Sequence, residues 1–307
     1  MEIKNKTKKL YLLKNSGAYE VTLEALRQSN TKTEMEEYHS NRKLAKLTTN
    51  KRETASTFKG FGFEIEIENY DDDDENLNDL IEEINKNYGG LFGFESDGSL
   101  DYGVEIVSRP MCLDVINSLD FKKLANIIDY YNYGSTHHTG GHIHVSATMF
   151  GPNEQTQKRT LLNILMFMET NKNLIKTISG RERQSTYAEP ITCGRCENPK
   201  RLYNEIKAIL NGVSFERYSW VNLNNWFGYK SDGYGINTIE FRFFGSCFDN
   251  TLKDRANWLY ELIKTAKKIR NSWGRGYNTN KENWFKINPT FKELTYKLVG
   301  GDYECVL

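Results

Sequence analysis

The chain has 307 residues, of which 41 are basic and 41 acidic, so it carries no net formal charge at neutral pH. That balance gives no clear signal for a nucleic-acid or membrane partner, and no apolar run approaches the length of a membrane span. Five cysteines, an odd number in a chain long enough to bury a real core, point to free thiols in a reducing compartment, so a cytoplasmic location is expected.

Residues 1–59 are polar and Lys-rich, with a weak helical pattern from Tyr19 to Leu47 and a linker from Leu47 to Lys59. They read as an N-terminal extension or an arm that contacts a partner, and no apolar stretch follows the Lys-rich start as a signal peptide requires. A regular domain is expected over 60–271, followed by an aromatic, Gly-rich tail over 272–307 that packs on it. Phe61 to Glu68 alternates like a strand. The acidic run Asp71-Asp72-Asp73-Asp74-Glu75 lacks the glycine and the spacing of an EF-hand and reads as a solvated loop. Leu77, Leu80, Ile81 and Ile84 recur at helical spacing and stop near Gly89-Gly90. Residues 91–110 form a predicted β-hairpin turning at Asp97-Gly98. An amphipathic helix over Leu113–Tyr131 leads to a strand at 141–147. A long helix over Thr156–Ile178 is closed by Gly180. A helix over Lys200–Leu210, strands at Tyr218–Leu223 and Thr238–Phe244, and a last long helix over Thr251–Ile269 complete the body. Strands and helices mix without regular βαβ alternation, so the class is α+β.

Three of these strands carry the chemistry. Phe61-Gly62-Phe63-Glu64-Ile65-Glu66-Ile67-Glu68, Gly141-His142-Ile143-His144-Val145 and Ile239-Glu240-Phe241-Arg242-Phe243 place polar groups at alternate positions. Successive strand side chains point to opposite faces, so each stretch has one polar and one apolar side. In a shared sheet the polar sides make one bed of carboxylate, imidazole and guanidinium. Crowded glutamates repel one another unless a positive charge lies over them, and a divalent cation supplies it. Taken alone, Glu64, Glu66 and Glu68 also suit a solvent-facing edge strand. Glu105 is harder to explain that way, because it stands among Val104, Ile106 and Val107 and needs a partner such as a cation. His142 and His144 follow a glycine pair that lets the backbone approach a ligand closely, and His137-His138 stand just upstream. Glu240 and Arg242 make either an ion pair of little worth if exposed or a metal ligand beside a phosphate-gripping fork. Cys193-Gly194-Arg195-Cys196 has no second pair to complete a zinc site, and no Walker loop, dinucleotide fingerprint or nucleophile elbow occurs.

In their order along the chain, FGFEIEIE (61–68), ESDGSLDYGVEIVSRP (95–110), GGHIHVS (140–146), RYSWVNL (217–223) and NTIEFRFFGSCFD (237–249) resemble the amidoligase family of the carboxylate–amine ligase superfamily, related to glutamine synthetase and glutamate–cysteine ligase. The resemblance covers roughly residues 60–270. It implies a curved, mainly antiparallel sheet with helices on the convex face, and a concave face that holds ATP and two or three divalent ions, magnesium or manganese in its place. By the same resemblance Glu64, Glu66, Glu105, His142 and Glu240 match metal ligands, and Arg242 matches an arginine that faces the phosphates. Asp97 stands where the family usually has Glu, and Glu68 lies one strand step beyond the matched ligands.

The activity implied is ATP-dependent amide formation. A carboxylate takes the γ-phosphoryl group as an acyl phosphate, and an amine then displaces phosphate. Arg242, Glu66 and Glu105 are the residues expected to act in the chemistry. Arg242, Arg217, Arg183 and His144 are those expected near the nucleotide, and Arg181, with Arg183 and Arg217, is placed near the carboxylate substrate or the phosphates. The substrates expected are carboxylates and amines of amino acids, peptides or proteins. Two other readings use the same residues: a metal-dependent hydrolase that activates water on the Glu/His bed, and a non-catalytic module that keeps the fold. The excess of carboxylates over histidines speaks against the hydrolase, because catalytic zinc sites lean on histidine.

Overall fold

A computed structural model describes residues 9–14, 17–22, 25–26, 46–54, 56–73, 75–88, 90–181, 188–191, 198–212, 218–227, 237–269 and 280–300. Its strands are β1 (Leu10–Lys14), β2 (Gly17–Val21), β3 (Lys46–Thr48), β4 (Phe61–Asn69), β5 (Phe92–Glu95), β6 (Gly103–Ser108), β7 (Tyr133–Gly134), β8 (Gly140–Ser146), β9 (Val221–Asn222) and β10 (Thr238–Gly245). A seven-stranded sheet runs β5-β6-β4-β8-β10-β9, and β7 pairs with the end of β4. Every pairing in it is antiparallel, which with the surrounding helices makes the class α+β.

The helices are α1 (Leu77–Tyr88), α2 (Leu113–Ser118), α3 (Phe121–Tyr130), α4 (Glu154–Thr170), α5 (Lys172–Ser179), α6 (Pro199–Ile209), α7 (Asn224–Phe227), α8 (Asn250–Lys268), α9 (Lys281–Ile287) and α10 (Pro289–Leu298). The period of two along β4 puts Phe61, Phe63, Ile65 and Ile67 on one side, each at most 1% exposed. Phe63 meets Phe121 of α3 edge-on at 6.1 Å, and Phe243 of β10 meets Trp258 of α8 at 6.2 Å. The apolar face is therefore roofed by helices, and the polar face looks the other way. Trp258 also packs on Phe291 of α10, and Phe167 of α4 on Trp284 of α9. These contacts hold the described part of the tail against the core helices.

Local signals explain where elements stop. The helix expected over Leu113–Tyr131 is broken after Ser118, and Asp120 starts the second piece by accepting from the Lys123 amide at 3.2 Å. The long helix expected over Thr156–Ile178 begins at Glu154 under an Asn153–Thr156 capping box and is interrupted at Asn171. Gly180 closes the second piece at φ +66°, a left-handed conformation that glycine adopts without steric penalty. In the stretch expected as a strand over Tyr218–Leu223, Val221–Asn222 pairs with β10 and Ser219 makes a single parallel bridge to Glu189.

The weak helical pattern over Tyr19–Leu47 is corrected at both ends. Gly17–Val21 pairs with β1, and Lys46–Thr48 adds to the other side of β1. Backbone pairing by strand-favouring Tyr11, Tyr19 and Val21 outweighs a faint helical period. This small sheet is also tied to the body. The Leu47 amide donates to the Pro110 carbonyl at 2.8 Å, its carbonyl accepts from the Cys112 amide at 2.9 Å, and its side chain is 0% exposed. Leu47→Ala is expected to lower stability by about 2–5 kcal/mol, the usual loss for a buried leucine. Urea unfolding measures this, and an unchanged midpoint would show that β3 stands outside the folding unit of the body.

Candidate metal centre

Strand register gathers the polar residues. Glu64 lies opposite His142 and Glu66 opposite Glu105. β5 sets Glu95 beside Glu105, β10 sets Glu240 beside His144, and β9 sets Asn222 beside Glu240. Directly opposed residues have Cβ atoms about 4.5–5.5 Å apart, so side chains on these strands share one surface. His142 stands at its centre. Its Nδ1 is 3.3 Å from Glu64 Oε2 and 3.7 Å from Glu240 Oε1, and its Nε2 is 3.7 Å from Glu66 Oε1. Two ligand sets result, Glu64/His142/Glu240 and Glu66/Glu105/His142, with the donor atoms of each within 4.8 Å of one another.

The groups around them are held by the backbone and by polar neighbours. Glu66 accepts from the Gly140 amide, and Ser246 Oγ donates to the Glu66 carbonyl at 2.6 Å. Asn222 Nδ2 donates to Glu240 Oε2 at 2.7 Å. Arg242 sets Nη1 against Glu240 Oε1, while its Nε is buried without a hydrogen-bond partner among the described residues. His144 Nε2 comes within 2.9 Å of Glu64 Oε1, an ion pair when the imidazole is protonated.

Burial and charge pull the titrations apart. Burial pushes the Glu105 carboxyl up, and the neighbouring charges of Glu64, Glu66, Asp97 and Glu95 push it further, well above the usual carboxylate range. Burial also raises Glu66, with His142 and the Gly140 amide opposing. For Glu64 burial acts upward as well, but His144 and His142 outweigh it and hold the carboxyl well below its ordinary value. Glu240 is lowered against burial by His144 and Arg242. Burial disfavours charge on His144, yet Glu64 beside it prevails and raises its value. One end of the bed thus contains paired charges and the other contains carboxylates with too little positive charge. Hard oxygen donors with one shared imidazole fit magnesium or manganese, and such a cation relieves the crowding around Glu105.

Other expected residues fall differently. Arg183, Arg217, Cys193 and Cys196 lie outside the described residues. His137 and His138 are exposed, lie with ring centroids 3.8 Å apart and planes tilted by 42°, and join neither ligand set. Glu68 is taken by the Thr136 hydroxyl and the Asp101 amide. Asp97 accepts from the Ser99 amide and hydroxyl, both at 2.7 Å, and contributes charge to Glu66 and Glu105 without joining a ligand set. Glu95, 1% exposed, and Asn222 were not among the expected site residues. Glu95 follows the alternation Phe92-Gly93-Phe94, and that local period is the signal for its face.

No family model and no curated protein matches the sequence. Among solved structures, a bifunctional glutathione synthetase from Pasteurella multocida aligns with 12% identity and a TM-score of 0.35 over 80% of this chain and 47% of that one. This chain spans less than half the length of that protein, and a likeness this slight carries no argument about fold or activity.

Proposed function

We propose that this protein is an ATP-dependent carboxylate–amine ligase with a glutamine-synthetase-like catalytic body over residues 60–271. The observation that carries the reading is the pair of adjacent ligand sets sharing His142, with the Arg242 guanidinium beside them, joined to Glu240 through Nη1 only among the described residues. The order of motifs along the chain supports it. Divalent ions bound there supply charge neutralisation for a triphosphate that the carboxylates alone would repel. Glu64, His142 and Glu240 would hold one ion, and Glu66, Glu105 and His142 another.

The chain's own tasks are positioning and electrostatics. Arg242 would offer phosphate oxygens the donors of its fork that Glu240 does not take, where a planar guanidinium gives directed contacts. Asn222 fixes the Glu240 carboxylate, and the Gly140 amide fixes that of Glu66, so neither swings toward the other's role. A substrate carboxylate attacks the γ-phosphorus, the bond to the bridging oxygen breaks, and ADP leaves. The amine nitrogen then attacks the acyl carbon, the bond to the phosphate oxygen breaks, inorganic phosphate leaves, and the amine's proton passes to solvent or a nearby base. The substrates are carboxylates and amines of amino acids, peptides or proteins, and supply of ATP places the enzyme in the cytoplasm. No described helix is long and apolar enough to cross a membrane.

Calorimetry tests the nucleotide half of this reading. ATP is expected to bind in magnesium and to lose nearly all affinity in EDTA, and sustained ADP release over many turnovers is expected only when a carboxylate and an amine are both supplied. Equal affinity with and without magnesium would rule the site out as a nucleotide–metal centre. Phosphate release from ATP with water as the sole acceptor would favour a hydrolase.

A further inference from the structure

The register of β10 on β8 slips between Phe241 and Phe244, so the segment that carries Arg242 is a bulge. A bulge takes backbone groups out of the ladder and re-aims side chains, and the freed groups need partners. Here one arginine supplies two of them. Arg181, just past the Gly180 turn that ends α5, donates from Nε to the Phe244 carbonyl at 3.0 Å and from Nη2 to the Arg242 carbonyl at 3.2 Å. Its backbone is fixed in turn, because the Arg181 amide donates to Ser179 Oγ at 3.2 Å. Arg255 holds the same corner from below, donating to the carbonyls of Gly245 and Ser179.

The guanidinium of Arg181 lies across Gly140. A Cβ at Gly140 would stand 2.6 Å from Arg181 Nη2 and 3.3 Å from both Glu66 Oε2 and His142 Nε2. The absence of a side chain there is what lets Arg181 reach the bulge and Glu66 reach the Gly140 amide together.

We propose that Arg181 is a positioning residue that clamps the β10 bulge across Gly140, fixing the aim of Arg242 and the seat of Glu66. This extends the sequence reading, which set Arg181 near substrate. Its donors go to backbone carbonyls, and its effect reaches the ligand through Arg242 and Glu66. The inference rests on the proposed metal–nucleotide reading for its catalytic consequence, and on hydrogen bonds alone for the clamp.

The test is a double-mutant cycle of Arg181→Ala and Gly140→Ala. Each is read by urea unfolding, by Mn2+ binding to the protein alone in electron paramagnetic resonance, and by ADP release. Each single change is expected to weaken Mn2+ binding by about tenfold or more, as loss of an outer partner of a metal ligand does. With the divalent ion saturating, turnover should fall with little change in KM for ATP. The double variant should lose clearly less than the sum of the two single losses, because the methyl's tightest contact, with the guanidinium, is gone. Free guanidinium should rescue Arg181→Ala and fail to rescue the double variant. Arg181→Lys, which keeps the charge but not the fork, should behave like Arg181→Ala and serves if the smaller variant folds poorly.

Strictly additive effects in the cycle, or parental Mn2+ affinity in Arg181→Ala, would overturn the clamp. If the parent protein binds no Mn2+, the metal reading fails, and coupling in the urea cycle still decides the clamp. If Mn2+ binding and coupling are as expected but no substrate pair releases ADP, the clamp stands and the ligase reading falls.

Discussion

Arg242→Lys is expected to leave the fold intact and to lower turnover by on the order of 10²-fold or more, with ATP affinity less affected than rate. The simplest competing account is that Arg242 and Glu240 neutralise each other, since Arg242 Nη1 touches Glu240 Oε1. Two observations weigh against a self-contained pair. Glu240 already accepts from Asn222 and lies near His142, so its charge is shared among several donors. Arg242 meanwhile keeps a buried Nε–H with no partner among the described residues, and a buried donor without an acceptor costs about 1–3 kcal/mol. Lysine preserves the charge toward Glu240 and loses the second and third donors of the fork. Thermal unfolding of the variant close to that of the parent, with turnover strongly reduced, is the expected pair of results. Near-parental turnover in an established ligase assay would refute the phosphate role and leave only the ion pair.

The two faces of β4 are legible from Phe61 to Glu68 because strand period and the choice between apolar and charged residues are both local properties. The same holds for His142 and His144 on β8 and for Glu240 on β10. What local pattern cannot give is register. That Glu66 faces Glu105, rather than a residue two further along, depends on the hairpin between β5 and β6 and on which strand lies next to β4. Glu95 shows the difference: its face follows from alternation, but its place beside Glu105 does not. The bulge at Phe241–Phe244 is not legible either, because Arg242-Phe243-Phe244 reads as an unbroken strand and the partners of its freed carbonyls come from Arg181, some sixty residues earlier. Helix breaks at Leu119–Asp120 and Asn171 were hidden for a related reason. Apolar spacing runs on through both points, and only the cap at Asp120 and the non-helical backbone of Asn171 mark the stops.

Glu105→Gln is expected to make the EDTA-treated protein more stable at neutral pH and to remove most of the stabilisation that magnesium or manganese confers. Glu105 is 3% exposed on β6, and burial together with Glu64, Glu66, Asp97 and Glu95 raises its carboxyl well above the usual range. A folded-state value above the unfolded one means that the folded protein binds the proton more tightly. The stability this contributes is full below the ordinary carboxylate value and is lost as pH rises through the raised one. Without a cation, the parent protein is therefore expected to weaken across that interval, and glutamine, which never ionises, should flatten the dependence. Adding a divalent ion reverses the ranking. A ligand at a hundred times its Kd stabilises the folded state by about 2.7 kcal/mol, and the parent has the carboxylate to bind it. Binding to the parent should also release a proton, seen as a heat of binding that changes with the buffer's ionisation enthalpy. Unfolding midpoints for both proteins, in EDTA and in excess Mn2+ from pH 5 to pH 8, should therefore cross: variant above parent without the ion, parent above variant with it. Parallel curves in both conditions would mean that Glu105 is an ordinary buried acid satisfied by its protein neighbours, and the Glu66/Glu105/His142 set would lose its claim to an ion.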